Sequence, residues 1–165
     1  MREALRRLEA EGWVRFKPNA GAVVSPVDDT AWEQEMTALA ILEGAATAAA
    51  LPNLTAAGLD QLGELASEMS GASDPLVFSA LNRSLHGRIT ARCGNAYLLE
   101  LLHQTSDRLD RIRSTMFAYL PERLAASARE HQHLIGLLRT GDAAEVERYA
   151  RWHKLQTIHA YHARR

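Results

Sequence analysis

The sequence predicts an all-α protein: an antiparallel bundle of six or so helices behind a short basic helix and a β-hairpin. Three observations carry this reading. Alanine and leucine abound, while only three Phe, three Trp and four Tyr occur in 165 residues, a composition that favours helix. Apolar residues recur at three- and four-residue spacing through most of the chain. Capping residues, Gly and Pro divide that stretch into helix-length pieces.

The elements follow in order. In residues 1–11, Leu5 and Leu8 lie three apart beside Ala4, with Arg2, Arg6 and Arg7 on other faces. That is the end of an amphipathic helix, stopped by Gly12. The period then changes. Trp13 to Phe16 and Ala22 to Val24 are short β-prone runs, separated by the turn-rich Lys17-Pro18-Asn19-Ala20-Gly21. Helix, strand, turn and strand fit the tail of a winged helix, with the hairpin as its wing; on periodicity alone they fit equally well a helix and hairpin that merely decorate the larger domain. A boundary is expected after Pro26, giving units of 1–26 and 27–165.

Beyond it, Asp28-Asp29-Thr30 caps a helix running to about Leu51, broken by Pro52 and Asn53. Thr55 caps a second helix to about Ser70. Asp74-Pro75 opens a third, a cap followed by proline at the first helical position, with Phe78, Leu81, Leu85 and Ile89 inward. Gly94-Asn95 is a break before a helix carrying Leu98, Leu101, Leu102, Leu109, Ile112 and Met116. Pro121 opens the next, which ends near Gly141, and Asp142 caps the last, with Val146, Tyr149 and Trp152.

A formal net charge of −1 excludes coating of nucleic acid by bulk electrostatics, so any DNA contact is local. Residues 1–17 hold five basic and three acidic side chains, only a mild excess. The single cysteine, Cys93, excludes an intrachain disulfide and fits a reducing cytoplasm. The longest apolar run, Ala38 to Leu51, contains Glu43 and is too short to span a bilayer.

Chemistry concentrates on the third predicted helix of the bundle. Asn82 and His86 are four apart, hence one turn apart on one face, and can offer an oxygen and an imidazole nitrogen to one metal ion. His131 and His153, on two later helices, can close the site from opposite walls. Alone, such a pair is more often a satisfied core or surface histidine than a ligand set. His103, His133, His159 and His162 read as surface or supporting residues. Ser84, Cys93 and Ser106 have no base and orienting group around them, so nucleophilic catalysis is not expected.

Two stretches resemble GntR-type bacterial transcription regulators. Arg2-Glu3-Ala4-Leu5-Arg6-Arg7-Leu8-Glu9-Ala10-Glu11-Gly12 is similar to the end of their recognition helix, and Asn19 to Val24 to their wing. Leu42-Glu43, Asn82 with Leu85-His86, Gly94-Asn95 with Leu98, Glu130-His131, Gly141-Asp142 and His153 resemble, in order and spacing, the ligand-sensing FCD domain of the FadR-like branch. The resemblance covers essentially the whole chain. It departs in two places: the winged helix is entered partway through its recognition helix, and Asn82 stands where many relatives have Asp.

The resemblance implies a cytoplasmic, ligand-responsive regulator acting as a homodimer on operator DNA. It implies a divalent metal, Zn²⁺, Ni²⁺, Mn²⁺ or Fe²⁺, on Asn82, His86, His131 and His153. Three neutral imidazoles and an amide would leave the ion's charge uncompensated, so a small carboxylate is the expected effector. Arg111 or Arg113, on a helix expected to line the same cavity, is its candidate partner; a solvated basic face shared with Arg108 is the commoner reading of such a run. DNA contacts are expected from Arg2, Arg6, Arg7, Lys17, Asn19 and Gly21. The alternative is a metal-dependent helical hydrolase using a metal-bound water. Its base would have to be Glu130, whose adjacency to His131 points it to a different face.

Overall fold

The computed structural model describes residues 2–10, 14–18, 20–24 and 29–164, with all their side chains except those of residues 2, 10, 24, 108 and 110–116. It is all-α with one hairpin, as the composition and periodicity predict. The chain falls into two compact units, Met1–Trp32 and Glu33–Arg165.

The front unit holds helix α1 (Arg2–Ala10) and strands β1 (Val14–Lys17) and β2 (Gly21–Val24). The strands pair antiparallel, from Val14 against Val24 to Lys17 against Gly21. Ala20 N–H donates to the Lys17 carbonyl across the turn, and Gly21 takes a φ of 71°, which its missing Cβ allows at little cost. Glu9 Oε1 accepts from the Phe16 amide at 3.3 Å, tying α1 to β1.

Six helices follow: α2 (Asp29–Ala50), α3 (Ala56–Gly71), α4 (Pro75–Thr90), α5 (Ala96–Tyr119), α6 (Glu122–Thr140) and α7 (Ala143–Ala163). Their ends lie where short polar side chains satisfy first-turn amides. Thr55 Oγ1 accepts from Gly58 N, Asp74 Oδ1 from Leu76 N, Asn95 Oδ1 from Leu98 N and Asp142 Oδ1 from Glu145 N. Gly141, at φ 78°, ends α6 in the left-handed conformation.

Within this unit α3 packs on α4 and α6, α4 on α5, and α6 on α7. The core includes Leu62, Met69, Phe78, Leu85, Ile89, Phe117, Leu134 and Val146. Phe78 and Phe117 meet edge to face, their centroids 4.9 Å apart. Of the residues expected inward on α4, Phe78, Leu85 and Ile89 are buried and Leu81 half-buried. No helix among the described residues is long and apolar enough to cross a membrane.

The crossing of α2 and α7 prepares the site. A Cβ on Gly44 would meet the Glu147 carbonyl oxygen at 3.0 Å and the Arg151 Cβ at 3.3 Å, so a larger residue would push the two helices apart by a few tenths of an ångström. The neighbouring Glu43 is brought against Lys154, three residues beyond Arg151 on α7.

Candidate metal centre

Three helices bring three imidazoles together. His86 comes from the middle of α4, His131 from α6 and His153 from α7, all buried, with one nitrogen of each within 4.8 Å of the others. The His86 and His153 rings stack at 5.3 Å, and His131 meets them edge-on at 4.9 and 4.5 Å. His86 Nε2 and His131 Nε2 lie 2.9 Å apart. Asn82, one turn before His86 on α4, is buried as well.

The outward nitrogens of two rings are held. His86 Nδ1 lies 2.6 Å from Glu43 Oε1 on α2, and His153 Nδ1 lies 2.6 Å from Glu130 Oε2 on α6. A carboxylate only accepts, so each Nδ1 carries the proton and each Nε2 keeps its lone pair for the cavity. Each carboxylate is held in turn by a cation. Lys154 Nζ is 3.0 Å from Glu43 Oε1, and the Arg123 guanidinium forks over Glu130 at 2.7 and 2.8 Å. His131 Nδ1 is buried without a hydrogen-bond partner among the described residues, and the contacts of His86 and Lys154 with Glu43 Oε1 are ion-pair contacts without hydrogen-bond alignment.

The protonation states follow. Burial alone would raise the Glu43 carboxyl, but His86 and Lys154 beside it hold it well below the usual carboxylate range. Burial pushes His86 from 6.5 down to about 3, against the pull of Glu43. It pushes His131 well below its ordinary value, with His153 and His86 adding to the effect, and it lowers His153 despite the Glu130 hydrogen bond. Burial would also raise Glu130, but Arg123 and His153 bring it to about 2. At neutral pH the imidazoles are uncharged and both carboxylates ionised.

This donor set fits a divalent cation. Neutral imidazoles offer lone pairs, carboxylates behind two of them fix tautomer and ring orientation, and ligands roughly 2.1 Å from one ion stand about 3 Å apart when adjacent. The histidines expected at the surface, His103, His133, His159 and His162, are exposed.

The fold shows what Glu130 does there. Adjacency to His131 does put it on another face of α6, but that face meets α7, where it reaches the far nitrogen of His153. Local periodicity also left Lys154, Arg123 and the pairing of Glu43 unassigned. The one available signal was Glu43 itself, the sole charged residue in the run from Ala38 to Leu51. Of the residues expected to touch DNA, Arg6, Arg7, Lys17 and Gly21 are exposed. Asn19 and the side chains of Arg2, Arg111 and Arg113 lie outside the described residues, as do Gly12, Trp13 and Pro26.

Comparison with known proteins places this bundle in a family. Residues 35–156 match the FCD domain, and the chain belongs to that family. Its fold is shared with GntR-family transcription regulators. A transcriptional regulator of that family from Pseudomonas syringae pv. tomato superposes with a TM-score of 0.71 at 23% identity, over 97% of this chain and 68% of the other. The Listeria monocytogenes protein Lar, described as controlling expression of the agr system and mediating virulence, superposes with a TM-score of 0.69 at 22% identity, over 98% and 78%. No curated protein matches the chain significantly by sequence.

Proposed function

We propose that this chain is the effector-sensing part of a transcription regulator, with residues 27–165 binding a divalent metal and, through it, a small carboxylate. The observation that carries the metal reading is the set of three buried imidazoles, two of them oriented by carboxylates from behind. His86, His131 and His153 are the proposed ligands, and Asn82 the fourth donor; Zn²⁺ suits such a set, as do Ni²⁺, Mn²⁺ and Fe²⁺. The metal supplies a Lewis-acidic anchor for an anion, and Arg111 or Arg113 on α5 is the proposed second contact.

Residues 1–26 are the proposed DNA-contacting part, with Arg2, Arg6, Arg7, Lys17, Asn19 and Gly21 meeting the duplex and a cytoplasmic homodimer presenting two copies to an operator. A winged helix rests its recognition helix on preceding helices, so this chain alone should bind DNA weakly and without sequence preference. The hydrolase reading loses ground here. It needs a carboxylate available to take a proton, and Glu43 and Glu130 are each engaged by an imidazole and a cation.

Metal analysis of purified protein, wild type against His86→Ala, tests the centre. Stoichiometric metal that falls in the variant is expected, and near-zero metal in both would sink the proposal. Asn82→Asp should tighten the site by adding a charged oxygen at the same reach. A gel shift on a candidate operator, comparing this chain with one extended N-terminally through a whole winged helix, tests the DNA part. Tight, salt-dependent binding is expected only of the longer protein.

A further inference from the structure

The carboxylates behind the imidazoles bear on what the site prefers as a ligand. Glu43 and Glu130 are both ionised and close to the cluster, and two such charges would cancel those of a divalent ion. A pocket neutralised in that way has little electrostatic reason to draw in an anion. Each carboxylate has its own cation, however. Lys154 lies 3.0 Å from Glu43, Arg123 is forked over Glu130, and both cations are buried. Each pair sums to zero, and the three imidazoles and the Asn82 amide are uncharged. A loaded pocket therefore keeps the ion's full double charge.

We infer that Lys154 and Arg123 are specificity-determining residues, which cancel the orienting carboxylates and so make the metal-loaded pocket select anionic ligands. A buried ammonium near a cation site opposes the cation, so Lys154 is not there to tighten the metal. Its effect is to let Glu43 orient His86 without leaving a buried carboxylate unpaired, at no loss of positive potential for the ligand. Arg123 does the same for Glu130 and His153. The inference rests on the metal and carboxylate reading above and goes beyond it by assigning the charge selectivity to two side chains.

The test uses the whole chain, zinc alone by chelator competition, and malonate as the probe anion by thermal shift of the zinc-loaded protein. In Lys154→Met the zinc affinity should hold or rise, while the malonate concentration for half-maximal shift should rise on the order of tenfold. Glu43→Gln, nearly isosteric, should do the opposite: weaker zinc and tighter malonate. A merely structural pair would lose both affinities together in both variants, and that result overturns the inference. So does an unchanged malonate response in Lys154→Met. Should Lys154→Met fail to fold, the double variant Glu43→Gln/Lys154→Met removes both charges and restores the balance. A wild-type malonate response there supports the inference, and a tenfold loss overturns it. Zinc that fails to bind even the wild type removes the metal reading itself; zinc binding with no charge dependence removes only the role of Lys154 and Arg123.

Discussion

The α1–hairpin segment and the helices α3 to α7 handle their apolar residues in opposite ways. In the front segment Leu8 is 36% and Phe16, the largest apolar side chain described there, 47% exposed, and Leu5 is only half-buried. In the helical unit Phe78 and Leu134 are fully enclosed. The difference is one of size. One short helix and two four-residue strands cannot surround a core, whereas five helices of 16 to 24 residues can. Stability therefore belongs to the bundle, and with it the polar cluster that only a rigid, dry interior can hold together.

The largest expected effect concerns that cluster. Zinc at roughly a thousand times its Kd should stabilise the protein by about 4 kcal/mol by mass action. His131→Ala should abolish that stabilisation, as read by thermal melts with zinc and with chelator. Persistence of the zinc shift in the variant would move the metal elsewhere. Next comes the core. Leu134→Ala should cost about 3 kcal/mol, within the usual span for a leucine that leaves a cavity in an interior unable to close over it. Urea unfolding measures this, and a cost under 1 kcal/mol would show the bundle to be far looser than its packing.

Acid should act on the same unit. His86, His131 and His153 all have folded values below 6.5, mainly through burial, so the unfolded chain binds protons that the folded one refuses. Their contribution is complete above the ordinary histidine value and is lost as the pH falls through it towards the folded values. Between pH 7 and 5.5 His86 should cost the metal-free protein about 1 kcal/mol, and His131 and His153 act in the same direction. Glu43 and Glu130, also lowered, add a further loss below about pH 4.5. The front segment contains no histidine, so its hairpin signals should not change over the upper range. A bundle equally stable at pH 5.5 and 7 would mean that the imidazoles are not shielded.

What the sequence revealed, and what it hid, divides along the same physical line. Helix ends were legible because capping is local: Thr55, Asp74, Asn95 and Asp142 each bond an amide two or three residues away. That Asn82 and His86 lie on one face of α4 was legible because they share one helical turn. The supports of the site were not. Glu43 and His86 are 43 positions apart, Glu130 and His153 are 23, and no periodicity within one helix encodes which neighbour it will meet. Gly44 was equally silent, because its role appears only when α7 lies against it.

Caps should give a smaller effect than core or acid. Asp142→Ala removes the acceptor for the Glu145 amide at the start of α7 and should cost about 1 kcal/mol, with zinc affinity nearly unchanged. His153 lies three turns further along and is held by Glu130, so fraying of the first turn should not reach it. Loss of zinc in this variant would show that α7 forms as one cooperative piece with the site.

The smallest effect tests the comparison most directly. Phe16 is an aromatic residue on a four-residue strand, and nearly half of its surface faces water. Its amide, not its ring, makes the contact with Glu9, and a substitution leaves that amide in place. Phe16→Ser should therefore change global stability by no more than about 0.5 kcal/mol, as for other surface positions. The exposed ring does have a use if the front segment packs against something further, and that is where the variant informs. In this chain a near-zero change is expected by urea unfolding. In a protein extended N-terminally through a whole winged helix, the same substitution should cost more, because further helices give the ring a surface to bury against. A cost of 2 kcal/mol already in the short chain would mean that the front segment is held as firmly as the bundle, and the contrast between the two regions would fail.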